Sequence, residues 1–458
     1  MRKRYVKQVL LLSIMCSVVL SFLGETNGLF YAQVFAQENV FDSEANESEE
    51  MTENNWSEEE NSENEEDSKY TYVLNGGNTA SLQYALDHGG NKIRLKGEFK
   101  LTEIIWLPSR SNVTVDATGA YFYNNCSFLS GKSSGFTWIG GTFETDGTKR
   151  LGFTVLHMKK VTFKNMTFIK ACPYGKHVFD FLGCDGITMD NITFMGYGNS
   201  KNYSKKSEHD RYSEAIQLDT ALFCSSGYDS LADKNKSKEI KKRYLSKGDK
   251  FDGKATKNVK VTNCTFTSIA DSSGKIISWA QTPFGEHTYA NRDCMKNIRF
   301  LNNTIINPIP IKNISEDRYN GAVHLVCTKN LVISNNVFKI TDPSAKREVW
   351  IQVANDTNGA NDFYKNENLI SNNITIKNNT FLGTAPTKAF VSFDSTEFSA
   401  PYYTIKNIVV KNNKYVSKSG KTPKKFIRLL GLKSQYTFKS KANNRGMTTA
   451  KYERLKKR

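Results

Sequence analysis

Apolar and polar positions alternate along Glu214-Ala-Ile-Gln-Leu-Asp219: Ile216 and Leu218 share one face, and Ala215, Gln217 and Asp219 the other. That period of two is the signature of a β-strand. An acid, an amide and an acid on an apolar frame is not how a strand is written for packing alone. Five segments read as copies of this strand: Val178-Phe-Asp-Phe-Leu182, Ile276-Ile-Ser-Trp-Ala280, Ala322-Val-His-Leu-Val326, Val349-Trp-Ile-Gln-Val353 and Phe390-Val-Ser-Phe-Asp394. Each is followed by a second strand that closes on an Asn-x-(Thr)-Phe signature, as in Val161-Thr-Phe-Lys-Asn-Met-Thr-Phe168 and Ile374-Thr-Ile-Lys-Asn-Asn-Thr-Phe381.

The signature Asn recurs at 165, 191, 263, 303, 336, 379 and 413, with a shortest interval of 26 residues. That period is too short for a propeller blade or a helical hairpin repeat and suits one coil of a parallel β-solenoid. Each strand then pairs with its counterpart one coil on, about 4.8 Å away, and like residues stack into ladders. A β-sandwich with Asn-rich turns is the competing architecture, but it has no reason to hold the signature at one phase seven times. The predicted fold is therefore all-β, a single-stranded right-handed parallel β-helix, with Ile216 and Leu218 inside and Gln217 and Asp219 outside.

Around this repeat the chain divides into four stretches. Arg2, Lys3, Arg4 and Lys7 precede the apolar run Val9 to Leu23, and Val34-Phe-Ala36 offers small residues for cleavage, so 1–36 reads as a signal peptide. The apolar run is too short for a stable membrane span. Residues 37–69 form an acidic linker whose composition cannot bury a core. Residues 70–416 hold the repeat, opened by a helix over Thr79 to His88 with Leu82, Ala85 and Leu86 on one side and Gly89-Gly90 as its stop. This helix is predicted to cap the open end of the solenoid. Residues 417–458 read as a C-terminal cap around Phe426 to Leu430 and a basic tail; from 421 onward there are thirteen Lys or Arg and one acid, Glu453.

Charge sharpens this picture. The formal net charge is +17, yet residues 37–68 alone carry fourteen acids and no Lys or Arg. Without that segment and the four basic residues of the signal, 59 basic and 32 acidic residues remain, a net charge near +27. Such a surplus implies an acidic partner: an anionic polysaccharide, a cell-wall polymer or a membrane surface. No recognisable nucleic-acid-binding module is present. Seven cysteines outside the signal, at 126, 172, 184, 224, 264, 294 and 327, are odd in number and irregular in spacing. They read as small buried hydrophobes rather than a disulfide framework.

Chemistry concentrates beside one strand column. Insertions at 198–213 and 307–320 precede such a strand, and those at 220–256, 281–296 and 354–371 follow one. Loops on both sides of one sheet make the walls of a groove over a rigid floor. The predicted floor is Asp180, Gln217, Ser278, His324, Trp350 and Ser392, with Asp219, Gln352 and Asp394 two residues along. Asp180 and Asp219 sit on adjacent coils displaced by two residues, which puts their Cα atoms about 8 Å apart. That separation suits a general acid and a base acting through water in inverting glycoside hydrolysis. His177 and Glu214 begin equivalent strands and are predicted neighbours, where a carboxylate stabilises the charged ring. His209 and His287, on insertions, are secondary candidates.

The early coils and their preceding helix resemble the pectate-lyase-like superfamily of right-handed parallel β-helices, over residues 70 to 416. The stretch Lys176-His-Val-Phe-Asp-Phe-Leu-Gly-Cys-Asp-Gly-Ile-Thr-Met-Asp-Asn-Ile-Thr-Phe-Met-Gly-Tyr197, together with Glu214 to Asp219, is similar to a pattern of secreted Gram-positive β-helix proteins active on polysaccharides. The resemblance implies a site formed by His177, Asp180, Glu214, Gln217 and Asp219. The Asn-Thr-Asp, Asp-Asp, Gly-His-Gly and Arg-Ile-Lys motifs of polygalacturonases are missing, as are the Trp-Ile-Asp-His element of pectate lyases and the Asp-Pro-His pattern of mannuronan epimerases.

Two functional readings follow. One is a secreted, extracellular or cell-wall-associated enzyme that cleaves an anionic polysaccharide by hydrolysis or β-elimination. The other is a non-catalytic surface adhesin or glycan-binding β-helix. Hydrolysis rests on Asp180 and Asp219. Elimination needs a base and a cation for the uronate, roles open to His324, Lys275 and Arg347, or to calcium held by Asp180, Glu214 and Asp219. Gln217, Ser278 and Trp350 complete the predicted substrate contacts.

Overall fold

The computed structural model describes residues 67–456, apart from 174–175, 199–213, 224–232, 287–293, 311–320, 343–346, 356–370 and 396–403. The stretch read as a signal peptide, nearly all of the stretch read as an acidic linker, and His209 and His287 lie outside the described residues. Strands stack in parallel register along three columns. One column is a ten-stranded sheet from Ile105–Trp106 to Ile427–Leu430, and a 22-stranded sheet supplies the other two. Among the described residues, the antiparallel pairings are the small hairpin of Ile269–Ala270 with Ile276–Ser278 and the isolated bridge of Thr220 with Ala255. The chain is a parallel β-helix.

Asparagine sets the corner between the two columns of the larger sheet. Asn165, Asn191, Asn263, Asn302, Asn335, Asn378 and Asn412 all adopt left-handed φ, between 53° and 60°, a conformation Asn tolerates better than other side-chain-bearing residues. The residue after each corner points inward. In early coils it is Met166, Ile192 or Cys264. From Asn303 on it is a buried asparagine, and Asn303, Asn336, Asn379 and Asn413 each donate from Nδ2 to the Oδ1 of the next, at 3.1, 2.9, 2.9 and 2.8 Å, the last being Asn444. The repeat phase read from 303, 336, 379 and 413 is thus one residue past the true corner. Inside the coil, Phe143, Phe168, Phe194 and Phe266 stack at 4.8, 5.4 and 4.8 Å between ring centroids. Such offset aromatic stacks add to the burial that holds successive coils together.

The N-terminal end is closed, and the C-terminal end carries a further coil. Helix Thr79–His88 matches the predicted bounds, is capped by Asn78 with a reciprocal Ser81 contact, and buries Leu82, Ala85 and Leu86 in the core. At the other end, strand pairing runs past 416: Ile427–Leu430, Tyr436–Ser440 and Arg445–Thr448 form a further coil, followed by helix Thr449–Lys456. Phe426 to Leu430 therefore leads into a strand of the site-bearing sheet. The insertion after Asp219 contains an unforeseen helix, Lys234–Ser246, whose Ile240 and Tyr244 pack on Trp106, Leu129, Leu156 and Leu182. The six described cysteines are buried and unbridged; burial pushes the Cys184 and Cys264 thiols up to about 12.

Candidate functional site

Register places the chemistry. Along the ten-stranded sheet, Ile216 and Leu218 stack on Phe179 and Phe181 in the core, while Asp180 pairs with Gln217, Gln217 with Gly285, Gly285 with His324, and His324 with Gln352 and then Ser392. Asp219 lies opposite Leu182, so Asp180 and Asp219 occupy adjacent coils two residues apart, as predicted. The Gln217 amide donates from Nε2 to Asp219 Oδ2 at 2.6 Å. The predicted open floor is instead enclosed: Asp180 is 6% exposed and Gln217 5%, and Asp219 and His324 are 0%.

Glu214 is the hub. Its Oε1 lies 2.8 Å from His324 Nε2, and its Oε2 lies 3.2 Å from His177 Nδ1. The better-aligned bond of His177 Nδ1 is its donation to the Glu214 main-chain carbonyl, also at 3.2 Å. His324 Nδ1 donates to the Gly321 carbonyl at 3.1 Å, so a hydrogen bond between its other nitrogen and Glu214 requires a proton on either that nitrogen or the carboxyl. Two coil steps separate Glu214 from His324, and the intervening strand carries Gly285 where a side chain would block the way. A Cβ there would meet His324 Nε2 at 2.4 Å and Glu214 Cγ at 2.6 Å.

Asp180 completes the cluster. Burial raises its carboxyl above the usual aspartate range, opposed by the charges of His177, Arg150 and Lys176 and assisted by that of Glu214. Its Oδ1 is buried with no hydrogen-bond partner, and so is Oε1 of the neighbouring Gln217. Buried acceptors without partners are uncommon in folded proteins. Arg150 spans the strand starts, donating to the His177 carbonyl at 2.9 Å and Ser127 Oγ at 3.1 Å. Gln281 Nε2 ties the carbonyls of Lys176 and Glu214 together at 2.8 and 3.1 Å. His177, with 15% of its side chain exposed, is more open than Glu214 or His324.

Four predicted site residues fall elsewhere. Trp350 turns inward at the strand start and packs on Phe338 and Phe381 at 5.3 and 6.4 Å. Ser278 belongs to the small hairpin, where its Oγ accepts from Tyr197 N at 2.7 Å. The strand expected at 276–280 is replaced by Thr282–Glu286, whose Pro283 and Gly285 disguise it. Lys275 is exposed beside the hairpin turn, its carbonyl accepting from Asp271 N. Arg347 is fully buried and donates to the Ile309 carbonyl at 2.6 Å. His324 is in the cluster but enclosed, with both ring nitrogens engaged, so it positions Glu214 rather than meeting solvent. Since Glu214 faces two imidazoles, it does not join Asp180 and Asp219 in the calcium set considered from sequence. Among the described residues no group of three or more His, Cys, Asp or Glu is arranged to hold a metal ion, and no helix is long and apolar enough to cross a membrane.

Sequence reasoning missed Gly285, Arg150, Gln281 and Glu286. Glu286 is fully buried, and its Oε2 accepts from Val326 N at 3.2 Å and Thr328 Oγ1 at 3.0 Å. Once Thr282–Glu286 is placed in register, the missing side chain beside His324 is the signal for Gly285. No protein-family model matches the sequence, and no curated protein matches it. Among solved structures the chain is similar to PfbA, a surface adhesin of Streptococcus pneumoniae, at 16% identity and a TM-score of 0.46, over 81% of this chain and 90% of that one. It is similar to a polygalacturonase from Erwinia carotovora ssp. carotovora at 12% identity and 0.43, over 82% and 96%. It is also similar to an alginate lyase from Paenibacillus sp. str. FPU-7 at 11% identity and 0.36, over 79% and 98%.

Proposed function

We propose that the cluster on the ten-stranded sheet is the active site of a secreted enzyme that hydrolyses an anionic polysaccharide. The observation that carries this reading is Asp180: a buried carboxyl with a raised proton affinity and a buried oxygen left without a hydrogen-bond partner. A carboxyl whose proton affinity burial has raised is better suited to protonating a glycosidic leaving oxygen than an ordinary aspartate. Asp219, one coil on and two residues along, lies about 8 Å away between Cα atoms, and a like separation between the two carboxyl groups is what leaves room for a water between acid and base. The Gln217 amide donates to Asp219 Oδ2 at 2.6 Å and so fixes the orientation of the carboxyl group proposed as the base. Glu214, fixed by His324 over Gly285, sets the orientation of His177 beside Asp180. The residues proposed for elimination give that mechanism less support, because Lys275 and Arg347 stand outside the cluster and both ring nitrogens of His324 are taken up by Gly321 and Glu214.

The test is the full chain, as exported, against a panel of acidic and neutral polysaccharides, recording reducing ends and the absorbance of unsaturated uronates. Reducing ends without the absorbing product are expected. Asp219→Asn and Asp180→Asn should each lower turnover by at least about a hundredfold, the scale of a lost base or acid. An absorbing, chelator-sensitive product would replace hydrolysis by elimination. Full activity of the Asp219→Asn variant would remove both and leave a binding protein.

A further inference from the structure

A different side of the β-helix carries a pattern that the cluster does not use. On the seven strands of the neighbouring column, from Lys159–Lys164 to Ile405–Lys411, the charged residues are eleven lysines or arginines and two aspartates. The cations are in register. Lys257, Lys296 and Lys329 pair on three consecutive coils, and Lys260 pairs with Arg299 three residues further along the same strands. Like charges set directly opposite on neighbouring strands are destabilising. Lys257 lies 3.5 Å from Asp185 on the preceding coil, an ion pair whose lysine is nearly half exposed and worth little.

We infer that this cation ladder is a binding face, separate from the proposed active site, for a linear polysaccharide that carries one carboxylate per sugar and lies along the axis of the coils. The coil step of about 4.8 Å sets one ammonium per step, a spacing comparable with one pyranose of an extended chain. The second, parallel row of Lys260 and Arg299 lets such a chain be flanked on both sides. Lysine supplies point charges on flexible stems, suited to a carboxylate polymer that must slide in register rather than to bidentate recognition of one group. With cations outnumbering acids so heavily on these strands, a polyanion lying along them offsets the repulsion between rungs. The outward row of the ten-stranded sheet around Gln217, Gly285 and His324 has no comparable ladder, so attachment and chemistry are placed on different sides of the molecule.

The experiment uses the full chain and polygalacturonate of defined length, with binding measured by calorimetry from low to moderate salt. The triple variant Lys257→Gln, Lys296→Gln, Lys329→Gln should bind at least about tenfold more weakly at low salt, with a shallower salt dependence, and its melting temperature should not fall. The charge-matched control Lys421→Gln, Lys424→Gln, Lys425→Gln should bind within about twofold of wild type. Asp180→Asn should bind as wild type does, which separates this face from the active-site reading. Equal loss in both triple variants would overturn the ladder in favour of overall charge. Loss confined to Asp180→Asn would place the polymer in the cluster instead. Tight binding of polyphosphate without binding of polygalacturonate would overturn the assignment to a carboxylate polymer.

Discussion

Gly285→Ala isolates the contact on which the cluster depends. Gly285 has no positive φ to protect, so the backbone accepts alanine and the effect is confined to the new methyl. That carbon would stand 2.4 Å from His324 Nε2 and 2.6 Å from Glu214 Cγ. Relief to an ordinary carbon contact of about 3.5 Å requires movements of roughly 1 Å, enough to break the 2.8 Å contact between His324 and Glu214. Overpacking alone costs about 1–3 kcal/mol, and parting a buried carboxylate from its partner raises the upper limit toward about 5 kcal/mol. Denaturant unfolding should show a lower midpoint with an unchanged slope, and turnover on the cleaved polysaccharide should fall with it. The double variant with His324→Ala supplies the check, because removing the ring relieves the closer of the two clashes and leaves the one with Glu214 Cγ. It should be more stable than the sum of the two single losses predicts, a non-additivity that marks direct contact. A Gly285→Ala protein with wild-type midpoint and rate would refute the bridging role of Glu214.

Two further outcomes are expected. The folded-state proton affinity of Asp180 is raised by burial, so its contribution to stability is fully present below the unfolded value near 3.8 and is lost as pH rises through the raised value. Asp180→Asn should therefore gain stability relative to wild type as pH is brought from about 4 toward neutrality, measured by thermal unfolding across that range; a difference that is constant or shrinks would contradict the assignment. Asn336 donates to the Phe300 carbonyl at 3.0 Å and to Asn379 Oδ1 at 2.9 Å, and accepts from Asn303 Nδ2. By denaturant unfolding, Asn336→Ala leaves several buried groups unpaired and should cost about 2–4 kcal/mol, while Asn335→Gly at the adjacent left-handed corner should cost well under about 1 kcal/mol.

What the sequence reveals of this molecule is what repeats. The coil, its Asn corner, the inward faces of Ile216 and Leu218, and the adjacency of Asp180 to the Gln217–Asp219 strand all follow from period-two alternation held at constant phase. Errors arise where the repeat is locally ambiguous. In Asn302-Asn303 and its counterparts either residue fits the signature, and φ alone tells the corner residue from the inward one. Trp350 has the parity of an outward residue, yet it packs in the core, as Ala322 and Phe390 do at the same register position on the neighbouring coils. Thr282–Glu286 escapes because Pro283 and Gly285 are poor strand formers, tolerated here because pairing on both sides fixes the backbone. The Glu214–His324 contact is the furthest from sequence. It joins residues two coils apart through the absence of a side chain on the coil between, and an absence has no periodicity. Its physical trace is negative: a glycine with ordinary φ, in a fully buried strand, at the register position between two engaged titratable groups. Flexibility does not explain a glycine there, since the backbone does not need it; the space it leaves does.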